Sequence, residues 1–420
     1  MLAALSTGIT IDAARAFPVL EELAATPGSP EELARDEAYW TQIGQAFSVD
    51  RSLITLNNGG VCPSPVIVQN AMKRHLDYSN TAPSYALWRV LEPQREVVRA
   101  RLARAFGGDP EEIAITRNAS ESLQICQLGI DLKPGDEILT TTQDYPRMLT
   151  TFEQRVRREG VVLRQIQIPV PCEDPAQAVR LFREGITDRT RVMLVSHVIN
   201  LTGQIMPVRE IAALGREKNI PVIVDGAHAF ANLDFRLDQL ACDYYGVSLH
   251  KWLYAPHGTG LLYVRKDKIA SLWPMMAAAA EKDADIRKFE EIGTHPAANA
   301  LAIAEAISFH EAMGAARKLA RLLYLRDTWA TRLVSTGRVK LHTSLKPGVC
   351  SSLGNFELEG VDSAKLGNYL WEKHRIIVTP IVHKEFQGVR VSPSVHNTLD
   401  ELDLFCSAVE RVARDGLPAA

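Results

Sequence analysis

The chain has 420 residues, 46% of them hydrophobic and 23% charged, with 47 Lys+Arg against 50 Asp+Glu for a net charge of −3. That balance excludes a dedicated nucleic-acid binder, because phosphate affinity needs a clustered basic surface, and no window approaches the roughly 18 uninterrupted apolar residues of a membrane span. A soluble enzyme or a large binding protein remains, with room for two or three domains at roughly 150 residues each.

In chain order, residues 1–16 are mildly apolar, and the first basic residue, Arg15, follows the apolar part. A secretory signal carries its basic residues first. The expected location is therefore the cytoplasm, or the periplasm if this is the stub of a longer leader. Residues 25–31, with Pro27, Gly28 and Pro30, read as a loop, 36–47 as a short helix, and 52–56 as a strand broken by Asn57-Asn58-Gly59-Gly60. Residues 92–106 have helical spacing and stop at Gly107-Gly108.

From there strands and helices alternate. Strands are expected at 112–116, 137–141, 161–168, 191–196, 221–224, 244–248 and 260–264, with helices at 120–128, 149–159 and 208–218. The pattern predicts an α/β fold, a mostly parallel sheet sandwiched by helices. Such sheets bind ligands at the carboxyl ends of their strands. After Thr294 come helix-favouring stretches at 297–314 and 315–335, strands at 339–341, 351–358, 376–380 and 389–392, and a closing amphipathic helix at 398–415. This reads as a smaller C-terminal α+β domain. The expected division is an N-terminal arm and substrate-side segment over 1–65, a large α/β domain over 66–294 and the small domain over 295–420.

The six cysteines, Cys62, Cys126, Cys172, Cys242, Cys350 and Cys406, are scattered, with no C-x-x-C pair. They read as reduced, buried thiols and not as a disulfide scaffold or metal site. The histidines His197, His228, His250 and His257 lie on different strands without H-x-x-x-H spacing, so no metal is expected.

Polar residues stand just past three apolar strand runs: Ser196-His197-Val198-Ile199-Asn200, Asp225-Gly226-Ala227-His228 and Ser248-Leu249-His250-Lys251. A parallel sheet brings these ends to one edge. A lysine there has its ammonium disfavoured by desolvation and becomes a candidate for imine formation. A carboxylate opposite it could keep a pyridine nitrogen protonated, the arrangement a pyridoxal phosphate enzyme uses. Asn118-Ala119-Ser120-Glu121 opens a helix and supplies hydroxyl and N–H groups for a phosphate.

These motifs, together with His197-Val198-Ile199-Asn200-Leu201-Thr202-Gly203 and Gly293-Thr294, resemble the fold-type I, class V aminotransferase family, in its isopenicillin N epimerase-like branch. The resemblance implies pyridoxal 5'-phosphate as cofactor, held by Lys251 as the imine lysine and by Asp225 at the ring nitrogen. It places His228 and Asn200 near the phenolic oxygen, and Ser248, His250, Ser120 and the Ala119 backbone at the phosphate. Lys251, Asp225 and His228 are the expected catalytic residues. Thr294 matches a residue reaching the phosphate of the neighbouring subunit, which implies a homodimer with shared sites. Arg390 matches the arginine that grips the substrate α-carboxylate, a group suited to a bidentate guanidinium. Asn58 matches a segment lining the substrate site, and Tyr85, with Trp88 and Arg89, either faces substrate or packs a helix.

Two departures stand out. Relatives place histidine over the cofactor face where the register Thr142-Gln143-Asp144-Tyr145 puts Gln143, with Tyr145 taking part of the contact. Cysteine desulfurases carry a nucleophilic cysteine before the carboxylate-binding arginine, and residues 378–386 contain none. Persulfide chemistry is therefore disfavoured. The expected activity is at the α-carbon of an amino acid or of a peptide with a free amino acid end. Epimerisation is the first expectation, and transamination and β-elimination, such as C–S lysis, are alternatives; a non-catalytic binding protein on the same fold is the remote one. Arg390 could instead pair structurally with Glu357 or Glu359, and Asp225 could merely cap a turn.

Overall fold

The computed structural model describes residue 21 and residues 23–418. The N-terminal segment 1–16 lies outside the described residues. Among the described residues thirteen strands follow in chain order: β1 (Ile54–Thr55), β2 (Ile113–Thr116), β3 (Glu137–Thr141), β4 (Val162–Ile166), β5 (Thr190–Ser196), β6 (Val222–Asp225), β7 (Tyr244–Ser248), β8 (Gly260–Val264), β9 (Val339–Leu341), β10 (Gly354–Leu358), β11 (Ile376–Ile377), β12 (Thr379–Val382) and β13 (Gln387–Val391).

Seven of them form the main sheet, ordered β2-β8-β7-β6-β5-β3-β4. All neighbours in it pair parallel except β8, which runs antiparallel to both β2 and β7. The middle strands read as near-continuous apolar runs because both faces are covered by helices. Val192, Leu194 and Ile223 pack with the helix Ala119–Gly129 on one side. Met193, Val195, Val222 and Val224 pack with the helix Val208–Lys218 on the other. This is the expected mostly parallel α/β architecture.

A second, antiparallel sheet runs β12-β13-β10-β9, and β1 pairs parallel with β11. The isolated bridge Asn57↔Ser392 extends that contact, so residues 56–59 lie against Ser392, just past the strand that carries Arg390. The expected strand at 376–380 is split: Ile376–Ile377 pairs with β1, and Thr379–Val382 turns into the hairpin with β13. The helix expected over 297–314 is also broken, into Ala297–Leu301 and Ile303–Met313. Helices Val66–Ser79, Pro175–Gly185 and Ser363–His374 are additional elements. Among the described residues no helix is long and apolar enough to cross a membrane.

Candidate active site

The strand ends meet as their register requires. Ser196, Asp225 and Gly246 are Cα partners across β5, β6 and β7. Ser248 and Thr116 both face Gly260 at the start of β8. The helix that begins at Ala119 is thereby set beside the end of β7, and the Ala119 N–H donates to Ser248 Oγ at 2.9 Å. Asn118 caps that helix through Oδ1, which accepts from Glu121 N at 2.9 Å. Two glycines are required by close approach. A Cβ at Gly226 would lie 1.9 Å from the Tyr245 ring, and Gly203, at φ +78°, would drive one to 2.2 Å from Leu353 O.

These ends frame a cavity of about 540 Å³. Its walls include Ala119, Ser120, Asn200, Asp225, His228, Ser248, His250, Lys251 and Arg390, so nine of the expected positions meet in one place. Lys251 Nζ lies 3.0 Å from His228 Nε2. Burial lowers the Lys251 ammonium to about 8, with Asp225 pulling the other way and Arg390 adding to the depression. Burial raises the Asp225 carboxyl to about 6, against the Ala227 N–H that its Oδ1 accepts at 2.9 Å and the charge of Lys251. Asp225 thus caps its turn and faces the cavity at once. Burial, with Lys251 and Arg390 nearby, holds His228 well below its ordinary value, so the imidazole is neutral. His250 falls to about 4 for the same first reason, burial.

Arg390 pairs with neither Glu357 nor Glu359. Its Nη1 donates to Asn200 O at 3.0 Å, and its Nη2 to Asn57 Oδ1 at 2.6 Å and Thr379 Oγ1 at 3.2 Å. Glu357 is instead 3.1 Å from His342. Burial without a carboxylate lowers the guanidinium to about 10. A buried arginine held only by neutral acceptors is a site prepared for an anion.

Four expected residues are placed differently. Asn58 is turned from the cavity: its Nδ2 donates to Thr55 O, Ser392 O and Asn397 Oδ1, and its Oδ1 faces His396 Nε2. The neighbour that serves the site is Asn57, through Arg390, while Gly59 and Gly60 line the wall. Gln143 is buried, and its Nε2 donates to Ile168 O at 2.6 Å and Glu385 Oε2 at 2.8 Å. Tyr145 lines the cavity in its stead. Tyr85 is 63% exposed and is not on the cavity wall of its own chain. Thr294 is exposed and lines a separate cavity of about 390 Å³ with Trp88, Glu92 and Arg95. Sequence reasoning missed Asn57 and Thr379, whose only signals were adjacency to a Gly-Gly turn and a place on the strand beside Arg390.

Among the described residues no group of three or more His, Cys, Asp or Glu side chains is placed to hold a metal ion. The six cysteines are all unpaired and buried. None lines this cavity.

The aminotransferase class-V family model matches residues 57–405. The chain belongs to that family. It is 29% identical to the isopenicillin N epimerase of Amycolatopsis lactamdurans over 89% of this chain and 99% of that protein, and 29% identical to that of Streptomyces clavuligerus over 89% and 98%. It is 28% identical to a probable cysteine desulfurase of Pseudomonas aeruginosa over 75% and 82%. Among solved structures it superposes on a C-DES mutant with glycine covalently linked to its PLP cofactor, at TM-score 0.78, 22% identity and coverage of 88% and 98%. It also superposes on the apo cysteine desulfurase of Thermococcus onnurineus, at TM-score 0.77, 21% identity and coverage of 93% and 99%.

As a class-V member the chain is an enzyme with pyridoxal phosphate as its cofactor and a small-molecule substrate. The cavity fits that group on its own chemistry. Buried polar atoms on its walls lack partners: Asn200 Oδ1, His228 Nδ1 and Arg390 Nε. A depressed lysine, a buried carboxylate and a helix start stand around one space, as an aldehyde, a pyridine nitrogen and a phosphate require.

Proposed function

We propose that this enzyme inverts the α-carbon of an amino acid, or of the amino acid end of a peptide, as an isopenicillin N epimerase-like epimerase. The observation that carries the α-carbon chemistry is Lys251 Nζ beside His228 Nε2 in the cavity that also holds Asp225 and Arg390. The tilt towards epimerisation rests on similarity to two isopenicillin N epimerases along 89% of the chain.

Pyridoxal phosphate, when bound, supplies an electron sink for the carbanion left at the α-carbon. The chain's own residues do the rest. The Ala119–Ser120 helix start, Ser248 and His250 hold the phosphate. Asp225 holds the proton on the ring nitrogen. Arg390, fixed by Asn57, Thr379 and Asn200 O, orients the α-carboxylate. Lys251 holds the cofactor, then moves the proton at the α-carbon, with an ammonium already depressed to about 8 so that the free amine is accessible near neutral pH. His228, kept neutral, takes or gives the hydrogen bond at Lys251 Nζ without adding charge.

Transamination and C–S lysis share every one of these steps up to the fate of the carbanion. Persulfide transfer is disfavoured because the β12–β13 loop carries no cysteine, and the thiol of Cys62, the cysteine within electrostatic reach of Lys251, is buried and raised to about 12. We also infer a homodimer: Thr294, which the family resemblance puts at a neighbouring subunit's phosphate, is exposed and outside the Lys251 cavity of its own chain. The six unpaired thiols support a reducing compartment, the cytoplasm.

The test is a panel of L- and D-amino acids, short peptides and cysteine conjugates in heavy water. α-Deuteration with inversion, and no keto acid, is expected. Stoichiometric keto acid would replace this reading with transamination, and pyruvate with ammonia would replace it with elimination.

A further inference from the structure

The catalytic machinery uses one half-buried lysine, and a fully buried one stands directly behind it. Lys318, on the helix Ala315–Val334, is 0% exposed. Its Nζ donates to the carbonyl oxygen of Trp252, the residue after Lys251. It stands 3.3 Å from His310 Nδ1 and 4.5 Å from the centroid of the Tyr254 ring. Among the described residues no carboxylate compensates it: burial lowers its ammonium to about 7, and the nearby Cys62 thiol, itself raised to about 12 by burial, stays uncharged. A fully buried lysine amine without a charged partner is a costly feature that packing alone does not call for.

What it grips explains the cost. Residues 251–254 form the reverse turn that presents Lys251, closed by Tyr254 N donating to Lys251 O at 3.3 Å. Tyr254 sits at φ +60°, a left-handed conformation that a bulky side chain rarely adopts. Such strain persists only where the surroundings over-determine it. Here they do so from three sides. Lys318 takes the carbonyl inside the turn and the face of the Tyr254 ring. Ser394 Oγ lies 3.0 Å from Tyr254 OH. Phe47 meets the same ring edge-on at 5.4 Å.

We propose that Lys318 is a positioning residue for Lys251: its amino group, bonded to the Trp252 carbonyl and seated on the Tyr254 ring, fixes the strained turn that aims the Lys251 amine at the cofactor. This rests on the reading of Lys251 as the cofactor lysine. Lys318 touches neither the cavity nor any group assigned to the cofactor, so its effect passes through the backbone of residues 252–254.

The test uses cofactor-saturated protein and separates holding the cofactor from bonding it. Borohydride reduction followed by peptide mass spectrometry gives the fraction trapped on Lys251. Retention of cofactor through a desalting column gives total binding, and thermal melting gives the fold. In Lys318→Met, retention is expected to persist through the phosphate contacts while the trapped fraction at short reaction times falls by about tenfold to a hundredfold, the penalty for a misplaced reacting group. Lys318→Arg, which keeps an N–H donor for the Trp252 carbonyl, is expected to recover part of the trapping.

Unchanged trapping in Lys318→Met overturns the inference. So does a parallel fall of melting temperature, retention and trapping with no recovery in Lys318→Arg, since that is what a packing role gives. If Lys318→Met does not melt cooperatively, Tyr254→Leu decides in its place: a loss of trapping beyond any loss of retention supports the inference and equal losses overturn it. In the unsubstituted chain, cofactor trapped anywhere but Lys251 overturns the assignment of the cofactor lysine itself, whereas cofactor on Lys251 with an unaffected Lys318→Met overturns only the positioning role.

Discussion

Lys251 Nζ and His228 Nε2 stand 3.0 Å apart, an amine and an imidazole that are both held towards their neutral forms. The charges around the pair act in opposite directions, which gives a signed experiment. In cofactor-free protein, labelling of Lys251 by a small amine-reactive reagent is expected to rise with a midpoint near 8 and not near the ordinary 10.5. Arg390→Gln removes a cation that disfavours the ammonium, so the midpoint moves up. Asp225→Asn removes the carboxylate that favours it, so the midpoint moves down. A midpoint near 10.5 in the unsubstituted chain would contradict the burial of this amine.

Asp225 makes a separate prediction about stability. Its carboxyl binds a proton more tightly in the fold, at about 6, than at its ordinary 3.8. Stability from that protonated form is therefore complete below the ordinary value and is lost as pH rises through 6. Cofactor-free Asp225→Asn carries no such charge. It is expected to be more stable than the unsubstituted protein above pH 6, by up to about 3 kcal/mol. The two should converge near pH 4. Urea melts across this range check the crossing. With cofactor bound the proposed role of Asp225 at the ring nitrogen would reverse the sign, since a protonated nitrogen would compensate the carboxylate.

Why were these residues legible in the sequence when others were not? Asp225, Ser248 and Lys251 each follow a buried apolar run, so strand periodicity alone places them at one sheet edge. Asn118 announces its helix by its capping side chain. The same logic fails at Asn57 and Asn58, which stand side by side in a turn. Which amide faces Arg390 is decided by the Asn57↔Ser392 bridge, a contact between residues 335 positions apart that no local pattern encodes. Gln143 fails for a similar reason. Glu385 in the distant β12–β13 loop captures its amide, and Tyr145 stands on the cavity wall. The helix Ser363–His374 was lost because its apolar positions are few, with Ser363, Leu366, Gly367 and Leu370 as its buried residues.

The two neighbouring asparagines separate binding from folding. Asn57→Ala takes a 2.6 Å acceptor from the Arg390 guanidinium, whose remaining partners are Asn200 O and Thr379 Oγ1. A hydrogen bond to a charged group is worth about 1.5–3 kcal/mol. The expected result is a rise in KM of roughly tenfold or more with a nearly unchanged melting temperature. Asn58→Ala instead strips Thr55 O, Ser392 O, Asn397 and His396 of a buried partner. It is expected to cost roughly 2–3 kcal/mol of stability while KM of the folded fraction stays put. Steady-state kinetics and denaturant melts on both variants would expose an inverted assignment.

Glu385 ties the β12–β13 loop to the segment after β3. Its carboxylate accepts from Thr142 Oγ1 and from Gln143 Nε2 at 2.8 Å, and His383 Nε2 lies 3.0 Å from Thr142 O. The loop joins the two strands that carry Thr379 and Arg390, so the tie anchors the hairpin of the arginine proposed to bind the substrate carboxylate. Glu385→Ala removes both side-chain bonds and leaves the Gln143 side-chain amide with Ile168 O. Loops with few remaining anchors open locally at low free-energy cost. Faster limited proteolysis between residues 382 and 387 is expected, together with a several-fold higher KM and little change in cofactor retention, since none of the phosphate-side residues touches Glu385. Equal losses of cofactor and of substrate affinity would instead mean that the loop supports the whole cavity and not its arginine wall.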